Sequence, residues 1–142
     1  MRILGLDIGS KTIGVAVSDP LGWTAQGLTT VQRKKPGDDL QQIAELARNY
    51  EATEIVVGLP LNMNGTKGPA AALAEEFGSQ LQKQTGLPIT YRDERLSTVA
   101  AERTLLAGDI SRRGRKKVID KLAAVIILQG YLDYLGHSNR KN

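Results

Sequence analysis

The opening stretch MRILGLDIGSKTIGVAVSD leaves the chain few ways to begin folding. Ile3, Leu4 and Leu6 read as a strand entering a core, and Ile13, Val15 and Val17 alternate with Gly14, Ala16 and Ser18 at the period of two that marks a strand. Between them stand the small, turn-forming Gly9-Ser10, so the second strand is expected to return beside the first. The first strand also ends on a carboxylate, Asp7, which core packing alone does not explain.

Asp19-Pro20-Leu21-Gly22 is a reverse-turn sequence, and Trp23 to Val31 predicts a third strand that completes a meander. Arg33-Lys34-Lys35-Pro36-Gly37 breaks the pattern. Asp38 is expected to cap a helix carrying the stripe Leu40, Ile43, Ala44 and Ala47. A short buried strand follows over Glu54 to Gly58 and stops at Gly58-Leu59-Pro60, before the polar loop Asn62-Met63-Asn64-Gly65. Pro69 opens a second helix with the stripe Leu73, Ala74, Phe77 and Leu81, and Gly86 closes it. Pro88 to Tyr91 gives one more strand, which runs straight into Arg92-Asp93-Glu94-Arg95. Thr98 to Ala107 reads as a helix stopped by Gly108. Val118 to Leu135 reads as the longest helix, apolar from Leu122 to Leu128 and therefore buried. Three meander strands followed by alternating helices and strands make a mixed-sheet α/β domain over residues 1–136, with a polar, frayed tail over 137–142.

With 142 residues and no cysteine, the chain can build one core without disulfides, and any metal must be held by oxygen ligands or by the single histidine, His137. Hard cations fit that donor set. His137 lies in the tail and is assigned no role. Trp23 and the four tyrosines show no interleaved pattern for stacking bases and are expected at core or edge positions. No apolar run approaches the roughly 20 residues of a membrane span, and no leader pattern is seen, so a cytoplasmic protein without membrane contact is expected. The formal charge is +4, and five of the nineteen Lys and Arg residues are Arg112, Arg113, Arg115, Lys116 and Lys117. Such a cluster, loosened by Gly114, suits a polyanion. Lys11, in the first turn, is placed to meet a phosphate, although a solvated turn lysine would look the same.

Asp7, Glu94 and Asp120 are the candidate chemical groups. Ligands of open α/β sheets bind outside the strand ends, where Asp7 and Glu94 fall. Each also has a simpler account: a turn-forming Asx residue for Asp7, an exposed charged loop for Glu94, and a helix-dipole or surface ion-pair role for Asp120. Asp93 and Glu94 point to opposite faces on extended backbone, so only one of them can face Asp7. Three converging acids would repel, by on the order of 4 kcal/mol per pair about 4 Å apart, and would need a counter-ion. Mg²⁺ or Mn²⁺, alone or as a pair, fits, and the reaction class would be metal-assisted phosphodiester hydrolysis.

GLDIGSKTIGVAVSD, VVGLPLNMNGT, DERLST and VIDKLAAVIILQGYL together resemble, in order, the successive motifs of the YqgF family of pre-16S ribosomal RNA nucleases, relatives of Holliday-junction resolvases. The resemblance spans residues 2–135. It implies an RNase H-like fold, a five-stranded mixed sheet of order 3-2-1-4-5 flanked by helices, which agrees with the pattern read above. It also implies an acidic site, catalytic and metal-binding, at Asp7, Glu94 and Asp120. Asn62, Arg95 and Thr98 match polar positions near that site, and Lys11 stands where many relatives carry an arginine. Lys11, Asn62, Arg95, Arg112, Arg113, Arg115, Lys116 and Lys117 are thus the expected nucleic-acid contacts. The expected substrate is structured precursor RNA in ribosome biogenesis, with branched DNA as the alternative, and the chain would act as a monomer or homodimer. Two other classes fit parts of the sequence. Asp7-Ile-Gly-Ser-Lys resembles the first phosphate motif of actin-like and sugar-kinase ATPases, which place ATP between two such domains. A non-catalytic RNA-binding module would need only the basic run.

Overall fold

A computed structural model describes residues 2–35, 37–96 and 112–140; for 96, 112–120 and 137–140 it describes the backbone alone. The strands are β1 (Arg2–Ile8), β2 (Thr12–Ser18), β3 (Ala25–Gln32), β4 (Ala52–Leu59) and β5 (Ile89–Asp93). The helices are α1 (Asp38–Asn49), α2 (Pro69–Thr85) and α3 (Arg112–Arg140), with one 3-10 turn at Glu94–Leu96. The helix expected over Thr98 to Ala107 lies outside the described residues.

The sheet has the order β3-β2-β1-β4-β5. β1, β2 and β3 are antiparallel neighbours, while β4 runs parallel to β1 and β5 parallel to β4. The expected meander is present, and β4 and β5, joined by α2, form a parallel pair; β4, which follows β3 through α1, pairs instead with β1. As a result the C-terminal ends of β1, β3, β4 and β5 and the β1–β2 turn gather on a single edge of the sheet.

Period-two alternation divides the core in two. Leu4, Leu6, Ile8, Ile13, Val15, Ile55 and Val57 pack on one face with Ile43, Ala47, Ala74, Phe77 and Leu81 of α1 and α2. Ile3, Ala16 and Val56 pack on the other with Ala123, Ala124, Ile127, Leu128 and Leu132 of α3. This second face is built unusually small. Gly27, Ala16 and Gly5 are paired across β3, β2 and β1. A Cβ added to Gly5 would stand 2.6 Å from Leu128 Cβ and 3.2 Å from the Ala124 carbonyl, and one on Gly27 would meet the Lys121 stem at 2.8 Å. Only hydrogen fits there, and α3 therefore rests almost on the sheet backbone.

Polar contacts set the direction of α3. Glu54, at the start of β4, accepts from the Tyr131 hydroxyl at 2.6 Å and from Thr90 at 2.7 Å. Gln129 accepts from Ala25 N at 2.9 Å and donates to the Trp23 carbonyl at 3.1 Å. Near the other end of β4, Ile127 lies against Gly58. The helix thus runs antiparallel to β1 and β4, with its N-terminal half toward the edge where their C-termini gather.

Four local expectations need correction. Gly37, in the left-handed region at φ 90°, is the N-cap of α1, and Asp38 is the first helical residue. The basic run belongs to α3: its Arg and Lys residues are good helix formers, and that preference over the segment outweighs the roughly 1 kcal/mol that Gly114 costs. Gly136 to Arg140 continues the same helix rather than forming a tail. Trp23, two residues before the edge strand β3, and Tyr134, on α3, are not core residues, being 64% and 58% exposed.

Gly5→Ala should lower the unfolding free energy by about 1–3 kcal/mol through overpacking against Leu128. The check is the denaturant midpoint at unchanged m-value; an unaltered midpoint would mean that α3 can lift without penalty.

Candidate acidic site at the sheet edge

Asp7 lies one residue before the end of β1. Alternation puts it, with Ile3 and Gly5, on the α3 face, where it is 7% exposed. Its partner on β2 is Gly14. On the other side, one step beyond the Leu6–Val57 pairing of β1 and β4, stands Gly58. The carboxylate therefore rises between two strand positions that carry no side chain.

Glu94 follows β5 directly and opens the 3-10 turn. Arg92 pairs with Gly58, so the α3-facing side of β5 carries Thr90 and Arg92, and Glu94 continues that side. Its Oε1 lies 2.7 Å from the point where a Cβ of Gly58 would sit. Glu94 thus leans over β4 into the space Gly58 leaves, toward the column occupied by Asp7, one strand spacing of about 4.8 Å away. Asp93 points elsewhere. Of the adjacent acids, Glu94 is the one that joins Asp7.

Asp120 belongs to α3, one turn before Ala124, but its side chain lies outside the described residues. The same holds for the side chains of Arg112, Arg113, Arg115, Lys116 and Lys117, and Thr98 lies outside the described residues altogether. Among the described residues no three His, Asp or Glu side chains form a metal cluster. The donor chemistry of Asp7 and Glu94 is all oxygen, which suits Mg²⁺ or Mn²⁺ rather than a soft cation.

Two loops flank the acids, and each is braced from within. Arg95 grips Asp93 through Nε at 3.1 and 3.0 Å and through a terminal nitrogen at 2.8 Å, and its backbone N–H donates to Asp93 Oδ1 at 2.9 Å. Its other terminal nitrogen donates to the Met63 carbonyl at 3.1 Å, which ties the turn after β5 to the loop after β4. The Arg95 contacts hold the Asp93 carboxyl below the usual carboxylate range and raise Arg95 in return. In that second loop, Asn62 donates to Thr66 Oγ1 at 2.9 Å, and Gly65, in the left-handed region, donates its N–H to the Asn62 carbonyl at 2.8 Å. Arg95 and Asn62 therefore both lie in the loops that follow β5 and β4, with part of their donor capacity used in bracing. Among the described residues, two of the five side-chain N–H groups of Arg95 have no partner.

The β1–β2 turn is braced by a residue that sequence reading passes over. Arg33 donates Nε to Asp39 at 2.8 Å and a terminal nitrogen to the Gly9 carbonyl at 2.9 Å, while its backbone N–H donates to the Lys11 carbonyl at 2.9 Å. Asp39 is 5% exposed, and the guanidinium lies over Phe77 at 5.2 Å. Lys11 is left exposed at the tip of a fixed turn. Gly58 was also legible only as a loop signal, although a glycine following Glu54 and Val56 at period two marks a close approach on that face.

The fold is that of RNase H-like proteins of the resolvase kind. Thermus thermophilus RuvC, solved in complex with a Holliday junction substrate, has a TM-score of 0.58 at 13% identity over 93% of this chain and 94% of its own. The fowlpox virus Holliday junction resolvase gives 0.54 at 16% identity over 95% and 99%. The chain belongs to the RuvX family, described as Holliday junction resolvase, whose profile matches residues 1–134. It is 59% identical over 138 residues to a protein of Moorella thermoacetica, covering 97% of this chain and 99% of that one. A Heliobacterium modesticaldum protein is 58% identical over 137 residues, covering 96% and 92%. Both carry the name "Putative pre-16S rRNA nuclease".

Gly58→Ala should push Glu94 out of its place and force Ile127 aside, lowering the unfolding free energy by about 1–3 kcal/mol, read as the denaturant midpoint. The Arg95–Asp93 clasp should stay closed through neutral pH. Because the Asp93 carboxyl is depressed, its contribution is complete above the ordinary carboxylate value and is lost only as pH falls through the lowered one. A carboxyl titration of Asp93 by NMR with its midpoint at or above 3.8 would contradict this.

Proposed function

We propose that this chain is a divalent-metal-dependent nuclease that hydrolyses phosphodiester bonds in precursor 16S ribosomal RNA. One observation carries the reading: Asp7 and Glu94, 87 positions apart in the numbering of the chain, stand on the same face of the same sheet edge, with Gly58 on the strand between them. Helical spacing supports Asp120 as the third member. Position 120 precedes Ala124 by one turn and Ile127 by two, and these are the residues of α3 that meet Gly5 and Gly58.

Each acid has a distinct structural duty. Asp7 is fixed by β1 and by the braced turn that follows it, so its carboxylate has little freedom to turn away. Glu94 sits at the start of a turn clasped by Asp93 and Arg95 and reaches the site across Gly58. Asp120 would close the set from above the sheet. Mg²⁺ or Mn²⁺ held by these oxygens would neutralise their mutual repulsion, polarise the scissile phosphate and activate the attacking water. Lys11 and the cationic start of α3 would hold the flanking phosphates as point charges, without reading base sequence.

The relatives' names favour ribosomal RNA as substrate, and the family description favours a four-way DNA junction as the second reading. Cleavage with Mn²⁺ of precursor RNA against an immobile four-way junction separates them. Asp7→Asn, Glu94→Gln and Asp120→Asn should each lower the cleavage rate by at least about 10²-fold, several kcal/mol of barrier, with RNA affinity kept or improved. Retention of full cleavage by any one of the three would remove that residue from the site.

A further inference from the structure

The edge that carries Asp7 continues past the β1–β2 turn to the end of β3, where the chain enters the loop before α1. Thr12 pairs with Gln32, so the residues after Gln32 emerge beside Lys11. Lys34 and Lys35 stand there exposed, as does Lys11. Among the described residues none of the three is in an ion pair. Arg33, the cation between the two loops, is instead turned inward to Asp39, Gly9 and Phe77. It links the loops as a clamp, and its charge is compensated.

The surface so formed is concave. A cleft of about 340 Å³ is lined by Thr30, Gln32, Lys34, Lys35, Asp38 and Gln42. Asp38 is its only acid, so the two lysines keep the local charge positive. From β3 to β1 is two strand spacings, about 10 Å, which matches about three base steps at the roughly 3.4 Å rise of one strand. A backbone that places one phosphate over Asp7 would bring phosphates about three nucleotides away within reach of Lys34 and Lys35.

We propose that Lys11, Lys34 and Lys35 form one rigid phosphate-binding ledge, clamped by Arg33 and Asp39, along which the nucleic acid leaves the acidic site over β2 and β3. The inference rests on the nuclease reading for its substrate, and it assigns the direction of the bound strand, toward β3 rather than only toward α3. The ligand is a nucleic-acid backbone; amide, hydroxyl and ammonium donors facing a groove suit phosphate oxygens and carry no base code.

The test is equilibrium binding of a structured RNA hairpin in Ca²⁺ over a series of KCl concentrations, comparing wild type with Lys34→Ala/Lys35→Ala, Lys34→Glu/Lys35→Glu and, as a distant control, Lys83→Ala. Two lost phosphate contacts should flatten the plot of log affinity against log salt by about 1.4–1.8. The double glutamate variant should bind more weakly still, and Lys83→Ala should match wild type. A double alanine variant with the wild-type slope overturns the ledge, as does a wild type whose binding shows no salt dependence. Wild type that binds with the expected slopes yet cuts neither RNA nor junction DNA in Mn²⁺ would leave the ledge in place and remove the nuclease reading.

Discussion

The close seating of α3 on the sheet is the constraint from which the rest of the arrangement follows. Gly5, Gly27 and Gly58 each present bare backbone where the helix or its side chains arrive, and a single methyl group at any of them would meet a heavy atom at 2.5–2.8 Å. At Gly5, against Leu128 Cβ and the Ala124 carbonyl, a native-density interior does not absorb such a clash without moving the helix, whereas at Gly27 and Gly58 the Lys121 stem, the Ile127 side chain and Glu94 would have to turn aside. If α3 rose, Ile127 would leave Gly58, and the space into which Glu94 leans would no longer be bounded. The same glycine that admits the helix also admits the acid, so packing and site geometry are two results of one missing side chain.

Charge at the edge is organised by whether a cation is compensated. Arg33 and Arg95, the two arginines nearest the loops, are bound to Asp39 and Asp93 and act as braces. Their forked donors suit carboxylates and carbonyls held at fixed geometry. The cations left facing solvent among the described residues of these loops are lysines, compact charges on long stems that follow a phosphate wherever it lies. The β1–β2 turn and the turn after β5 are thereby fixed in shape, while Lys11, Lys34 and Lys35 face solvent.

Sequence reading reached the topology because the signals for it are local. Strict alternation in Ile13 to Ser18, Pro69 at the first helical position and Gly86 after the last are each decided by nearest neighbours, and all three features stand in the structure. Asp7 and Glu94 were legible as strand-end acids, and their common face followed once β1, β4 and β5 were ordered. What escaped notice depends on contacts across space. Nothing near Arg33 indicates that its partner will be a nearly buried Asp39 or that it will reach Gly9. Gly58 looks like punctuation until the α3 face is known. Gly114 suggested a flexible basic segment, whereas the helix-forming residues on both sides carry the helix through it.

The two faces of the sheet are closed at different moments of the chain's life. α1 and α2 follow their strands at once, so the Leu4 and Leu6 side is covered as soon as the middle of the polypeptide has been made. The Ile3, Ala16 and Val56 side waits for residues 123–132, which follow all five strands. Until then a growing chain carries a bare apolar sheet face on one side and, at its edge, acids without the helix that bounds them. The helix that comes after every strand is what seals this molecule.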